Sequence, residues 1–191
     1  SALNIDAFLV TFQPHLRYLS GFSGSAGIGL VTDNACHLVT DGRYASQVRT
    51  EVHGWRVAIT TSSFFEELQR KNRLRSGMRV GFDGNTVVLS HYTQLKKLLP
   101  KIKFLPKVDC IEKIAAVKDD TELTKIKKAV SITDNLFTEI LSLLRPGIAE
   151  LDIAAEISYR QRKHGSEADA FETIVASGER SALPHGRATS K

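Results

Sequence analysis

The 191-residue chain is 42% hydrophobic and 25% charged, an ordinary globular profile with enough material for a core in one or two small domains. No stretch approaches the roughly 18 consecutive apolar residues of a membrane span, and the opening residues do not read as a signal peptide, so no membrane partner is expected. Lys and Arg number 26 against 21 Asp and Glu, and the excess gives a net charge of +5.

The basic residues are densest at Lys96, Lys97, Lys101, Lys103 and Lys107. These read as a solvated helix face and a strand edge that Lys protects from pairing. A nucleic-acid groove would add interleaved aromatics, so no nucleic-acid partner is expected. Cys36 and Cys110 have no metal or redox spacing and read as buried thiols of a reducing, cytoplasmic compartment. The chain starts Ser-Ala-Leu and its single methionine is Met78, so both ends read as trimmed.

In chain order, residues 6–11 form a short apolar run, read as a buried strand broken by Pro14. Residues 15–26 read as a glycine-rich loop. Strands at 27–32 and 36–40 flank Asp33-Asn34, a hairpin signature. Residues 41–51 read as a helix with Asp41 as its N-cap. A strand follows at 55–59. Residues 61–75 are amphipathic, with Phe64, Phe65, Leu68 and Leu74 toward a core. Then come a strand at 79–82, a helix at 90–99 stopped by Pro100, and a strand at 102–105. The pattern is α/β with a mixed sheet and flanking helices.

From Val117 the texture changes. Asp119 and Glu122 have capping-box spacing. Ile126, Val130, Thr133, Phe137, Ile140 and Leu144 continue at helical intervals until Arg145-Pro146-Gly147. A second helix runs from about 150 to 164, with Gly165 as its stop. Residues 171–176 read as a final strand that delivers a loop carrying His185. The expected domain division is 1–116 and 117–191.

The glycines at 21, 24, 27 and 29 lack the Gly-Lys-Ser/Thr ending of a phosphate loop and run into a strand rather than a helix, so they read as a tight structural loop. The six histidines have no ligand spacing. His185 stands apart because Ser177-Gly178 and Ser181-Ala182-Leu183-Pro184 surround it with small residues and stiffen its approach. Asp41-Gly42-Arg43-Tyr44 reads either as a cap with outward interface residues or as a cap with a surface Arg.

Three segments together resemble the Xaa-Pro aminopeptidase and prolidase family, which includes creatinase. They are Tyr18-Leu-Ser-Gly-Phe-Ser-Gly-Ser, Val39-Thr-Asp-Gly-Arg-Tyr, and Phe171-Glu-Thr-Ile-Val-Ala-Ser-Gly with Ser181-Ala-Leu-Pro-His185. The resemblance implies a creatinase/prolidase-like N-terminal domain over 1–116 and the first part of an α+β pita-bread metallopeptidase domain over 117–191. It implies hydrolysis of short peptides with proline at the second position, two divalent metal ions, manganese by family habit, and a homodimer. It assigns His185 a catalytic role beside the metals and makes Arg43 and Tyr44 candidates for a substrate or subunit contact.

The family's five metal ligands, two Asp, one His and two Glu, match nothing here, so no metal ligand and no bound cofactor is expected in this chain. The expectation is an inactive fragment of an active parent. The alternatives are a non-catalytic self-association module or a fragment of a creatinase-like amidinohydrolase.

Overall fold

The structure is a computed structural model that describes residues 3–70 and 72–191. The chain divides into two compact units, Ser1–Val117 and Lys118–Lys191. No helix among the described residues is long and apolar enough to cross a membrane.

Unit 1 is built on six strands: β1 (Ala7–Val10), β2 (Gly27–Thr32), β3 (Cys36–Asp41), β4 (Arg56–Thr60), β5 (Arg79–Asp83) and β6 (Lys103–Lys107). They lie side by side in the order β4-β3-β2-β1-β5-β6. β1–β2 and β2–β3 pair antiparallel, and the other three pairings are parallel. The sheet is therefore mixed, as the early hairpin implies. β6 forms one edge and carries Lys103 and Lys107, the usual guard against edge pairing.

Side chains alternate across a strand, so the central strands β1, β2 and β3 feed a core on each face of the sheet. Ala7, Leu9, Leu30, Val39, Val80 and Phe82 join Leu68, Leu74 and Leu95 in one. Val10 and Leu38 join Leu16, Phe22 and Val48 in the other. Burying each of the Val, Leu and Phe side chains among them contributes about 1.5–3 kcal/mol relative to leaving it in water.

Among the described residues, the helices α1 (Gln13–Ser20), α2 (Gln47–Glu51), α3 (Phe64–Arg70), α4 (Leu89–Leu98) and α5 (Cys110–Ala116) flank the sheet. α1 replaces much of the expected loop over 15–26. Pro14 does not simply end a strand. It occupies the first turn of α1, where its missing N–H costs no intrahelical bond. Gly21 closes α1 at φ +80, donating its N–H to the Arg17 carbonyl. The expected helix over 41–51 is divided into a 3₁₀ turn, Gly42–Tyr44, and α2. The helix expected over 61–75 is confined to α3. Cys36 and Cys110 are free and only half-buried, because one begins β3 at the hairpin turn and the other begins α5.

Unit 2 contains α6 (Asp120–Leu141) and α7 (Glu150–Lys163). α6 begins with a complete capping box, in which Asp119 Oδ1 accepts from Glu122 N and Glu122 Oε2 accepts from Asp119 N. Leu136, Ile140 and Ile153 form a small core. Much of the expected α6 stripe faces out, with Phe137 63% and Val130 53% exposed. The expected strand over 171–176 is absent. A strand exists only against a partner, and the pairing here is one isolated antiparallel bridge, Ile174 to Arg187. Phe171, which starts that segment, is 73% exposed.

Candidate functional site: the loop carrying His185

The segment after α7 is held by a buried carboxylate. Glu150 lies in the first turn of α7 and is 3% exposed. Its Oε1 accepts from the backbone N–H and hydroxyl of Ser177 at 2.7 and 3.0 Å. Its Oε2 accepts from the N–H and hydroxyl of Thr189 at 3.0 and 2.8 Å. Arg180 forms an ion pair with the same oxygen. The two ends of the His185 loop are thus tied to one side chain. The α7 amides help, since Glu150 N donates to Lys191 O at 2.9 Å and Leu151 N donates to Thr189 O at 3.0 Å. These bonds satisfy N–H groups that a helix start leaves open.

Burial works to raise the Glu150 pKa. The hydrogen bonds from Thr189 and Ser177 outweigh it, and the carboxyl is lowered to about 2. Glu150 is a key residue that sequence reasoning used only as a helix start. Its partners lie 27 and 39 positions away, beyond any local motif.

Within this frame residues 178–182 form a 3₁₀ turn, and Arg180 donates to the Arg187 carbonyl at 2.8 Å. Gly186 is buried close to Ala176, where an added Cβ would stand 3.1 Å from the Ala176 Cβ. His185 is exposed on the turn before it. It lines an open depression of about 500 Å³ together with Phe171, Glu172, Thr173, Ile174 and Arg187. Glu172 pairs with Arg187 at 3.0 Å. On α6 and α7 a more apolar cavity of about 460 Å³ includes Phe137, Phe171 and Asp169. Asp169 accepts from Ser158 at 2.6 Å, while its other oxygen is buried without a partner.

Arg43 and Tyr44 belong to unit 1. Arg43 forks onto the Asp41 carboxylate, with Nε to Oδ1 at 3.0 Å and Nη2 to Oδ2 at 2.8 Å. That hydrogen bonding holds the Asp41 pKa below the usual carboxylate range. The guanidinium lies 5.4 Å from the Tyr44 ring centroid. Tyr44 shares a 2.6 Å hydrogen bond with Ser25 and meets Phe22 edge-on. The segments 18–25 and 41–44, separate in sequence, are therefore one surface. Glu51 extends it by accepting from the N–H and hydroxyl of Ser23, both at 2.8 Å.

A divalent metal needs several deprotonated ligands converging on one point. Around His185 the donors do not fit, since Glu172 is paired with Arg187 and Glu150 is already saturated. Among the described residues, the one group of His, Cys, Asp and Glu side chains close enough to share an ion is His15, Asp83 and Glu112 in unit 1. There the His15 ring bridges two carboxylates, Nδ1 to Asp83 at 3.4 Å and Nε2 to Glu112 at 3.3 Å. The two ring nitrogens face different acids, so one ring stands between two carboxylates rather than joining both at a single nitrogen. Asp83 is also committed to Asn85 N and the Thr86 hydroxyl, each at 2.9 Å.

Comparison with known proteins gives these arrangements a context. A family model described as the Creatinase/Prolidase N-terminal domain matches residues 1–117, and one for metallopeptidase family M24 matches residues 124–191. An uncharacterized peptidase of Bacillus subtilis, YqhT, is 31% identical over 99% of this chain and 54% of its own length. A solved Xaa-Pro dipeptidase from Bacillus anthracis has a TM-score of 0.91 at 33% identity, covering 100% of this chain and 53% of that one. An X-Pro aminopeptidase from Thermotoga maritima has a TM-score of 0.89 at 35% identity, covering 98% and 55%. The chain spans about half the length of these relatives. With family models matching residues 1–117 and 124–191 and solved structures alike along the whole chain, the chain belongs to the creatinase/prolidase family, its N-terminal domain joined to a stretch of metallopeptidase family M24.

Proposed function

We propose that the 191 residues are the leading half of a metal-dependent peptidase that hydrolyses Xaa-Pro bonds, and that this half alone is inactive. The supporting observation is likeness along the whole chain, at up to 0.91 in TM-score, to proteins described as Xaa-Pro dipeptidase and aminopeptidase. A bond to proline is a tertiary amide without an N–H, and the ring fixes φ. A cleft that grips extended backbone through N–H groups loses a contact there, so a dedicated pocket is required. In the intact parent two divalent ions, manganese first, would supply an activated water and polarise the scissile carbonyl. Their ligands belong to side chains outside the 191 residues.

Within this half, His185 hydrogen-bonds the reacting substrate and helps carry the charge that develops on its carbonyl oxygen. Its exposure on the rim of an open depression leaves the ring accessible to a peptide. Arg43 and Tyr44 form part of the contact with a second subunit in a cytoplasmic homodimer.

The test compares the full-length parent with the 191-residue chain on matched Xaa-Pro and Xaa-Ala dipeptides, with manganese and with a chelator. Metal-dependent cleavage of the Xaa-Pro peptide by the parent alone is expected. Turnover by the 191-residue chain, or equal cleavage of Xaa-Ala, overturns the reading.

A further inference from the structure

Unit 1 has a polar cleft of about 960 Å³ that lies outside the Arg43–Tyr44 surface. Its walls include Asp33, His37, Arg56, Arg73 and Arg75. His37 and Arg56 are register partners on the adjacent parallel strands β3 and β4, so both rise from one face of the sheet. Arg73 reaches that face from the turn after α3. Its N–H is held by the Leu68 carbonyl at 3.1 Å, and the neighbouring Leu74 is buried.

Two polar atoms of residues that line this cleft are buried and unused. His37 is 8% exposed, and its Nδ1 is buried without a hydrogen-bond partner. One terminal nitrogen of Arg73 is likewise buried and unpaired. Buried polar atoms are almost always bonded, so each orphan calls for a missing group.

Two acids, Asp6 and Asp33, line the cleft and Glu67 lies near it, but none of them answers the need. Asp6 is bound by Arg79, Glu67 is bound by Arg70, and Asp33 is exposed. Among the described residues neither Arg56 nor Arg73 has an ion-pair partner. Burial lowers the Arg73 pKa; Glu67 opposes this and the positive Arg56 adds to it. Burial, then Arg73, then Arg56 lower that of His37. The cleft gathers positive charge around a neutral ring.

We propose that this cleft is an anion site for a phosphate group, held by Arg56, Arg73 and His37. Guanidinium groups match phosphate oxygens in paired hydrogen bonds. Donors arriving from β3, β4 and the turn after α3 suit a tetrahedral anion better than a flat carboxylate. The cleft is larger than one phosphate, which leaves room for the organic part of a small phosphomonoester.

The test is calorimetric titration of the 191-residue chain with inorganic phosphate, ribose 5-phosphate and acetate at constant ionic strength. Saturable binding of a phosphate probe is expected at low-millimolar concentration or below. Tighter binding of the ester supports a phosphomonoester ligand, and equal binding supports inorganic phosphate. Arg56→Gln and Arg73→Gln are each expected to weaken binding by roughly tenfold, while Lys101→Gln leaves it unchanged. Arg56 is exposed, so its variant decides the matter if Arg73→Gln does not fold. Absence of saturation by about 10 mM, equal binding of acetate, or an equal loss in Lys101→Gln overturns the proposal.

Discussion

Glu150 accepts the Ser177 N–H at 2.7 Å, joining the first turn of α7 to the start of the His185 loop. The carboxyl is lowered from 4.5 to about 2 in the folded state. The unfolded chain therefore takes up a proton near pH 4.5 while the folded chain does not. The stabilisation is fully present above about 4.5 and is lost as pH falls toward about 2. Urea unfolding followed across that window should show falling stability of unit 2. Glu150→Gln should flatten the response and speed hydrogen exchange of the Ser177 and Thr189 amides by roughly tenfold or more. An unchanged pH response in the variant contradicts this role.

Gly24 sets a second expectation. A Cβ there would stand 2.2 Å from the Phe22 ring, which is 1% exposed and cannot swing out. Gly24→Ala should destabilise unit 1 by about 1–3 kcal/mol through overpacking. Thermal unfolding measures it, and Phe22→Leu in the same chain should recover part of the loss.

Leu30 tests the opposite defect. It is fully buried on β2 between two neighbouring strands. Leu30→Ala should cost about 2–5 kcal/mol, the range for a core cavity. Denaturant midpoints at constant slope are the measurement.

Arg43 and Tyr44 should separate folding from association. The Arg43 side chain is 71% exposed, so Arg43→Ala should leave the thermal midpoint nearly unchanged. Tyr44→Phe loses only the hydrogen bond to Ser25, about 1 kcal/mol or less. If the pair lies at a subunit contact, both variants weaken dimerisation of the full-length parent in sedimentation measurements. Unaltered dimerisation removes them from that contact.

The strands of unit 1 were legible because each is a short apolar run with a turn signal beside it, as at Asp33-Asn34. The start of α6 was legible because Asp119 and Glu122 carry the cap in four residues. α1 was not, because Pro14 serves both strand ends and helix starts, and only the chain's return into β2 selects between them. The strand expected at 171–176 failed for a different reason. Its composition suits a strand, but pairing depends on a neighbour that composition does not supply. His185 stood out through the small residues around it, whereas Glu150 gains its role from partners far along the chain. His37, Arg56 and Arg73 come from three elements and form no motif at all.

The strand order gives the molecule a schedule. β1 lies in the middle, with the β2–β3 hairpin on one side and β5 on the other. Its pairing with β2 closes over a short stretch, but Ala7 waits for Val80 on its second edge. During synthesis the hairpin half is complete while one edge of β1 is still open, a template for stray strands on neighbouring nascent chains. Slowing translation before residue 79 would lengthen that exposure, and speeding it would shorten it.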